Sequence, residues 1–113
     1  MHKEEYLDVM SSDELKDGRG ISIRVGNKRV AVFREKGDLY CVDDMCPHAG
    51  ASLGTGTVLK GVIYCPWHQW GFEGSNGRCV TGSIWHVDTY PIREEGGRIW
   101  VNPTPVPHDP GDE

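Results

Sequence analysis

The sequence predicts an all-β fold of small antiparallel sheets. Glycine supplies 15 of 113 residues, apolar and polar residues alternate along several short runs, and turn-forming pairs recur between those runs. Residues 4–10 read as a first strand. In Ser11-Ser12-Asp13-Glu14-Leu15 a hydroxyl stands ahead of acids. That order suits one helical turn, because a serine oxygen can accept from an N–H the turn leaves unpaired. Ile21, Ile23 and Val25 alternate with Ser22 and Arg24, the period of a half-buried strand. Gly26-Asn27-Lys28 then turns the chain into a partner strand over 30–34. Gly37-Asp38 turns it again, into a strand over 39–42. Residues 57–64 read as strand, a turn at Lys60-Gly61, and strand. Gly74-Ser75-Asn76-Gly77 is a turn before a strand over 78–81. Strands over 90–93 and 98–101 flank 94–97 as a closing hairpin.

Residues 102–113 hold four prolines and three acids with little to bury, so a disordered tail is expected there. The expected organisation is one domain over 1–101 and this acidic, Pro-rich tail over 102–113. A chain of 12.6 kDa has room for one modest core. Its mean hydropathy of -0.49 fits a globular protein. No apolar run approaches the roughly 18 residues that span a bilayer. Residues 1–10 are charged and polar, unlike a leader, so the expected address is the cytoplasm. The net charge of -5 excludes the basic stripe a nucleic-acid binder needs.

Two runs carry the chemistry: Cys46-Pro47-His48 and, sixteen residues further, Cys65-Pro66-Trp67-His68. Each offers one thiolate and one imidazole from its own loop. Two Cys on one iron and two His on the other is a known way to hold a 2Fe-2S cluster, and the order Cys, His, Cys, His fits it. Zinc also takes Cys and His, but its paired ligands usually stand two to four residues apart. Only Pro47 separates Cys46 from His48, which is tight for two ligands of one tetrahedral ion and natural for ligands of two neighbouring ions. A zinc-binding interaction module stays open as the non-redox alternative. Cys41 and Cys79 sit beside Val42 and Val80 and read as small buried hydrophobes on strands. A disulfide between them suits a cytosolic setting poorly.

The runs Cys46-Pro47-His48-Ala49-Gly50-Ala51 and Cys65-Pro66-Trp67-His68-Gln69-Trp70-Gly71-Phe72 resemble the two cluster loops of Rieske-type ferredoxins and of the Rieske domains of ring-hydroxylating oxygenases. The resemblance spans roughly residues 6–101. It implies antiparallel sheets with a 2Fe-2S cluster at the tip between two loops. It also implies Cys46 and Cys65 on the buried iron, and His48 and His68 on the outer one. Trp67 and Trp70 are expected to pack around the cluster. Cytochrome bc members of the family carry an extra cysteine in each loop, joined as a disulfide; the corresponding residues here are Ala51 and Trp67. High-potential members place a serine and a tyrosine hydroxyl against the cluster sulfurs, where this chain has Trp70 and Phe72. A third covering loop, often Gly-Pro-rich, corresponds to 82–87 and lacks the proline here; that leaves two places for His86, near the cluster or, the reading preferred, on a surface strand.

By this resemblance the protein is a one-electron carrier between a flavin- or NAD(P)H-linked reductase and a terminal oxygenase. The alternative is the small subunit of an NAD(P)H-dependent nitrite reductase. No activity of its own is expected, since an oxygenase subunit needs a second domain with a mononuclear iron held by two His and a carboxylate.

Overall fold

The structure, a computed structural model, describes residues 6–46, 50–67, 70–80 and 86–106. Its strands in chain order are β1 (Leu7–Ser11), β2 (Gly20–Val25), β3 (Lys28–Glu35), β4 (Asp38–Asp43), β5 (Thr57–Leu59), β6 (Val62–Tyr64), β7 (Gly71–Glu73), β8 (Ile92–Glu95) and β9 (Arg98–Val101). Among the described residues they form three antiparallel sheets, ordered β1-β9-β8, β2-β3-β4 and β5-β6-β7. The all-β expectation holds. The only helical pieces described are two 3-10 turns, Ser12–Glu14 and Leu53–Thr55. No helix among the described residues is long and apolar enough to cross a membrane.

The β2–β3–β4 sheet is the wall between two cores. Val30, Ala31, Val32 and Phe33 of β3 are all fully buried, which a strand allows only when both its faces are covered. Ala31 and Phe33 face a core with Leu53, Ile63, Phe72, Cys46 and Cys65. Val30 and Val32 face another with Met10, Cys41, Tyr90, Ile99 and Val101. Burial of each such side chain stabilises the fold by about 1.5–3 kcal/mol. The first core is the one that reaches the two motif loops.

Contacts between sheets fix their relation. The Arg34 guanidinium makes a two-bond clasp on Glu94 at 3.0 and 3.1 Å and donates to the carbonyl of Leu15 at 2.9 Å. That clasp holds the Glu94 carboxyl down at about 2, well below the usual carboxylate range. The buried Glu35 carboxylate accepts both backbone N–H groups of the β5–β6 turn, from Lys60 at 2.5 Å and Gly61 at 2.7 Å. That turn has φ of 53° and 79° at the two residues, the left-handed geometry a two-residue hairpin turn demands.

Four expectations need correction. The strand over 78–81 does not form: Cys79 bridges Phe72 and Arg78 bridges His86 singly, and residue 81 lies outside the described residues. Before that stretch Gly77, at φ of 79°, lets the backbone pass so close to Val87 that a Cβ would stand 1.9 Å from its carbonyl. The strand read over 90–93 starts only at Ile92. Tyr90 donates its N–H to Cys41 instead, and Pro91 has none to give. The first strand runs Leu7–Ser11, one residue later at its end than expected, while residues 1–5 lie outside the described part. Strand β7 was not anticipated. The helical turn, the four hairpin turns and strand β9 fall where the sequence puts them, with Ser11 Oγ accepting from Asp13 N–H. All four cysteines are free thiols, with Cys41 buried on β4. The disorder expected from residue 102 onward does not hold for its first part: Asn102 N–H bonds to the Pro91 carbonyl and Val106 N–H to that of Thr89, tying 102–106 to the body. Residues 107–113 lie outside the described part.

Candidate metal centre

Two cysteines arrive at one place from different sheets. β4 ends at Asp43 and hands the chain on through Asp44 and Met45 to Cys46; β6 ends at Tyr64 and hands it directly to Cys65. Each loop is then closed by the same device. Cys46 N–H donates to the carbonyl of Ala51 at 2.9 Å, and Cys65 N–H to that of Trp70 at 2.7 Å, five positions on in both. In the first loop Gly50 also donates to the Cys46 carbonyl at 2.7 Å, with φ of 73°, a conformation that suits glycine. The second loop caps the β6–β7 hairpin, where Tyr64 pairs with Gly71.

Both cysteines are fully buried. They share one core, with Cys46 near enough to act on the Cys65 thiol. Burial pushes the Cys65 thiol up from its ordinary value; the Trp67 N–H aimed at its sulfur pulls the other way, and Cys46 adds to the rise. Two neighbouring buried thiols are costly to ionise unaided, whereas a bound cation stabilises both thiolates and releases their protons. The pair therefore suits a metal. His48 and His68 lie outside the described residues, as do Pro47, Ala49 and Gln69. Among the described residues no group of three His, Cys, Asp or Glu gathers elsewhere as an alternative site.

The sequence did not point to Asp44. This buried carboxylate accepts from Ser52 Oγ at 2.8 Å and Gly54 N–H at 2.9 Å, while its carbonyl accepts from Leu53 N–H at 2.6 Å. It clasps the far end of the first loop to the residues entering it. Its neighbour Asp43 accepts from the Tyr90 hydroxyl at 2.6 Å and Asp88 N–H at 3.0 Å, tying the segment over 86–90 to β4. Burial and Asp43 together raise the Tyr90 hydroxyl above its ordinary value. In sequence, nothing sets Asp43 or Asp44 apart. Only the Ser52-Leu53-Gly54 donors that follow could have revealed the clasp.

Trp70 packs against the core that holds both cysteines. Trp67 does not, being 58% exposed, so the expectation of packing fails for it. His86 is exposed, as expected.

The Rieske [2Fe-2S] domain family matches residues 5–91. The chain belongs to the Rieske family. Its cofactor is a Rieske-type 2Fe-2S cluster, and the paired buried thiols on matched loops fit that group. Such a cluster supplies one-electron storage. The zinc alternative has no support from these likenesses. The ferredoxin component of an alkene monooxygenase system from Xanthobacter autotrophicus is 31% identical over 93% of this chain and 87% of its own length. The Rieske fold is shared with the ferredoxin of carbazole 1,9a-dioxygenase from Nocardioides aromaticivorans: TM-score 0.80, 27% identity, 88% of this chain and 98% of that one. It is shared equally with a structure described as an NADH-dependent nitrite reductase small subunit from Mycobacterium tuberculosis, with TM-score 0.84, 26% identity, and 93% and 100% of the two chains.

The Asp44 clasp carries a direct expectation. Asp44→Ala strips two donors of a buried charged partner and should cost about 3 kcal/mol, at about 1.5 per bond. It should also lower the iron content of the purified protein. Asp44→Asn keeps an acceptor oxygen for both donors and should retain most of each. Urea denaturation and iron assay check both; equal damage from the two variants would show that the hydrogen bonds are not what matters.

Proposed function

We propose that this protein is a cytoplasmic one-electron carrier that takes electrons from a flavin- or NAD(P)H-linked reductase and delivers them to a terminal oxygenase. In this reading Cys46 and Cys65 hold the buried iron of the cluster and His48 and His68 the outer one. The unit that does this is 1–101, with 102–113 as an appended tail. The observation that carries the proposal is the convergence of Cys46 and Cys65 in one core, on loops closed the same way. The relative from the alkene monooxygenase system, matched over 93% of this chain, adds the oxygenase.

The described residues bury the cysteines and fix the loops that carry them; the protein is read as an electron-transfer component, and no activity of its own is proposed. The nitrite reductase small-subunit reading is favoured by one observation, the fold match with TM-score 0.84. In that case the protein is a fixed subunit.

Reconstitution separates the two. NADH, a flavin reductase and the oxygenase components of the alkene monooxygenase, naphthalene 1,2-dioxygenase and carbazole 1,9a-dioxygenase systems are combined with and without the protein. Product formation that requires the protein, with at least one oxygenase, is expected. Failure with all of them overturns the carrier reading.

A further inference from the structure

Residues 102–106 read Asn-Pro-Thr-Pro-Val, and a proline has no N–H, so Pro103 and Pro105 leave this stretch the N–H groups of Asn102, Thr104 and Val106. Each of these is bonded. Asn102 donates to the Pro91 carbonyl at 3.0 Å and Val106 to that of Thr89 at 2.8 Å. Between them Thr104 donates to the Asn102 side-chain oxygen at 2.9 Å, a local turn of the kind asparagine favours. The two prolines also fix their own φ, so ordering this stretch costs less conformational entropy than ordering other residues would. A loose tail would leave its N–H groups to water. This one lies as a short strap along 89–91.

The segment under the strap is held from its other side by β4. Val42 and Thr89 form an antiparallel bridge. Asp43 N–H donates to the Asp88 carbonyl at 3.0 Å, and Tyr90 N–H to that of Cys41 at 2.9 Å. The Asp43 carboxylate takes the Asp88 N–H at 3.0 Å and the Tyr90 hydroxyl at 2.6 Å. Thr89 is thus paired with β4 on one edge and with Val106 on the other. Two residues earlier, Val87 is buried in the core that contains Cys46 and Cys65, with its N–H on the Gly77 carbonyl at 2.9 Å. So short a connection means that lifting 88–90 off β4 pulls Val87 out of the core.

We propose that residues 102–106 are a positioning strap: they hold 88–90 on β4, keep Val87 seated on the core of the two cysteines, and so keep water from the cluster those cysteines carry. The proposal rests on Cys46 and Cys65 as ligands and is independent of which partner takes the electron. The backbone performs this role, since Val106 is 43% exposed and its side chain has little to pack against. Water admitted to the core brings in whatever competes for iron. It also stabilises the negative charge added on reduction, which raises the potential. The strap therefore acts on the lifetime of the bound iron and on the potential. Its prolines give it a second property, an outer edge with few donors to recruit another strand.

The test uses full-length, cluster-loaded protein. Val106→Pro removes one N–H at a place already flanked by Pro105 and Pro107, whereas Val106→Ala keeps that N–H and removes the side chain. Asp17→Ala takes away the acceptor of Lys36 N–H at the β3–β4 turn and controls for a general loss of stability. Losing one backbone bond makes local opening about 5-fold more frequent. Val106→Pro should therefore speed amide hydrogen exchange over 87–90, followed by mass spectrometry, and iron release to EDTA, each by about 5-fold. Its midpoint potential, by protein-film voltammetry, should rise. Val106→Ala and Asp17→Ala should match the wild type in all three. Unchanged exchange over 87–90 in Val106→Pro overturns the strap, as does Val106→Ala behaving like Val106→Pro, or Asp17→Ala releasing iron as fast. Faster exchange with unaltered iron release and midpoint overturns the claim that the strap keeps water from the cluster. Wild-type protein that binds no iron overturns the ligand assignment, and this inference with it.

Discussion

Cys46→Ser and Cys65→Ser should each purify colourless, without iron or acid-labile sulfide, where the unmodified protein holds about two of each. The two side chains lie in one core, at loop positions fixed by backbone bonds from their own N–H groups. A serine hydroxyl in either place stays protonated and is a poor partner for ferric iron, while the remaining thiol cannot reach across for both. The backbone of each loop is untouched by the change, so loss of the cluster would report the ligand and not the fold. Cys79→Ser is the control. Cys79 is only partly buried and packs at the margin of the same core, and its backbone bridges Phe72. Its variant should keep full iron content. Equal loss in the Cys79 variant would mean that the ligands have been misassigned.

Much of this centre was legible in the sequence because metal ligation imposes side-chain identity at fixed spacing. Cys46 and Cys65 could be named without a structure, and the glycines and turn pairs marked where the strands had to end. The turns at Lys60-Gly61 and Gly96-Gly97 sit where expected because left-handed backbone is a local demand, met by residues next to one another. Other features depend on partners far away in the chain. Three-residue strands such as β7 are too short to show a period, and their existence rests on the hydrogen bonds of Ile63 and Tyr64 across the hairpin. Glu35 lies one residue past the strand expected over 30–34 and nothing in the sequence marks it, yet it holds a turn 25 residues on. Asp44 carried no signal in the sequence, yet it is the brace of the first loop. The exposure of Trp67 was misjudged for a related reason: an aromatic beside a ligand can face the core or the partner, and sequence alone does not say which.

The reduction potential should lie near the low end of the range open to Rieske centres, roughly -150 to +300 mV. Each hydrogen bond to a cluster sulfur stabilises the added electron and raises the potential. At the two places where high-potential members of the family offer hydroxyls, this chain has Trp70 and Phe72. Phe72 is fully buried in the core with Cys46 and Cys65, and Trp70 packs against that core. Neither has an O–H to give. Ala51, where those members place one half of a disulfide, is buried in the same core and leaves the first loop without that brace. The net charge of -5 opposes reduction weakly. Phe72→Tyr tests the argument at one atom. A hydroxyl added in this core has to find an acceptor or cost about 1–3 kcal/mol, and a cysteine sulfur is the acceptor the resemblance supplies. If it bonds there, a gain of about 1–2 kcal/mol in the reduced state corresponds to a rise of roughly 40–90 mV, since a tenfold change in a one-electron equilibrium is about 59 mV. Protein-film voltammetry near neutral pH measures both quantities. An unmodified midpoint well above zero would refute the low-potential argument. A Phe72→Tyr variant with full iron content and an unmoved midpoint would show that the new hydroxyl bonds elsewhere, and that donors at this position do not set the potential.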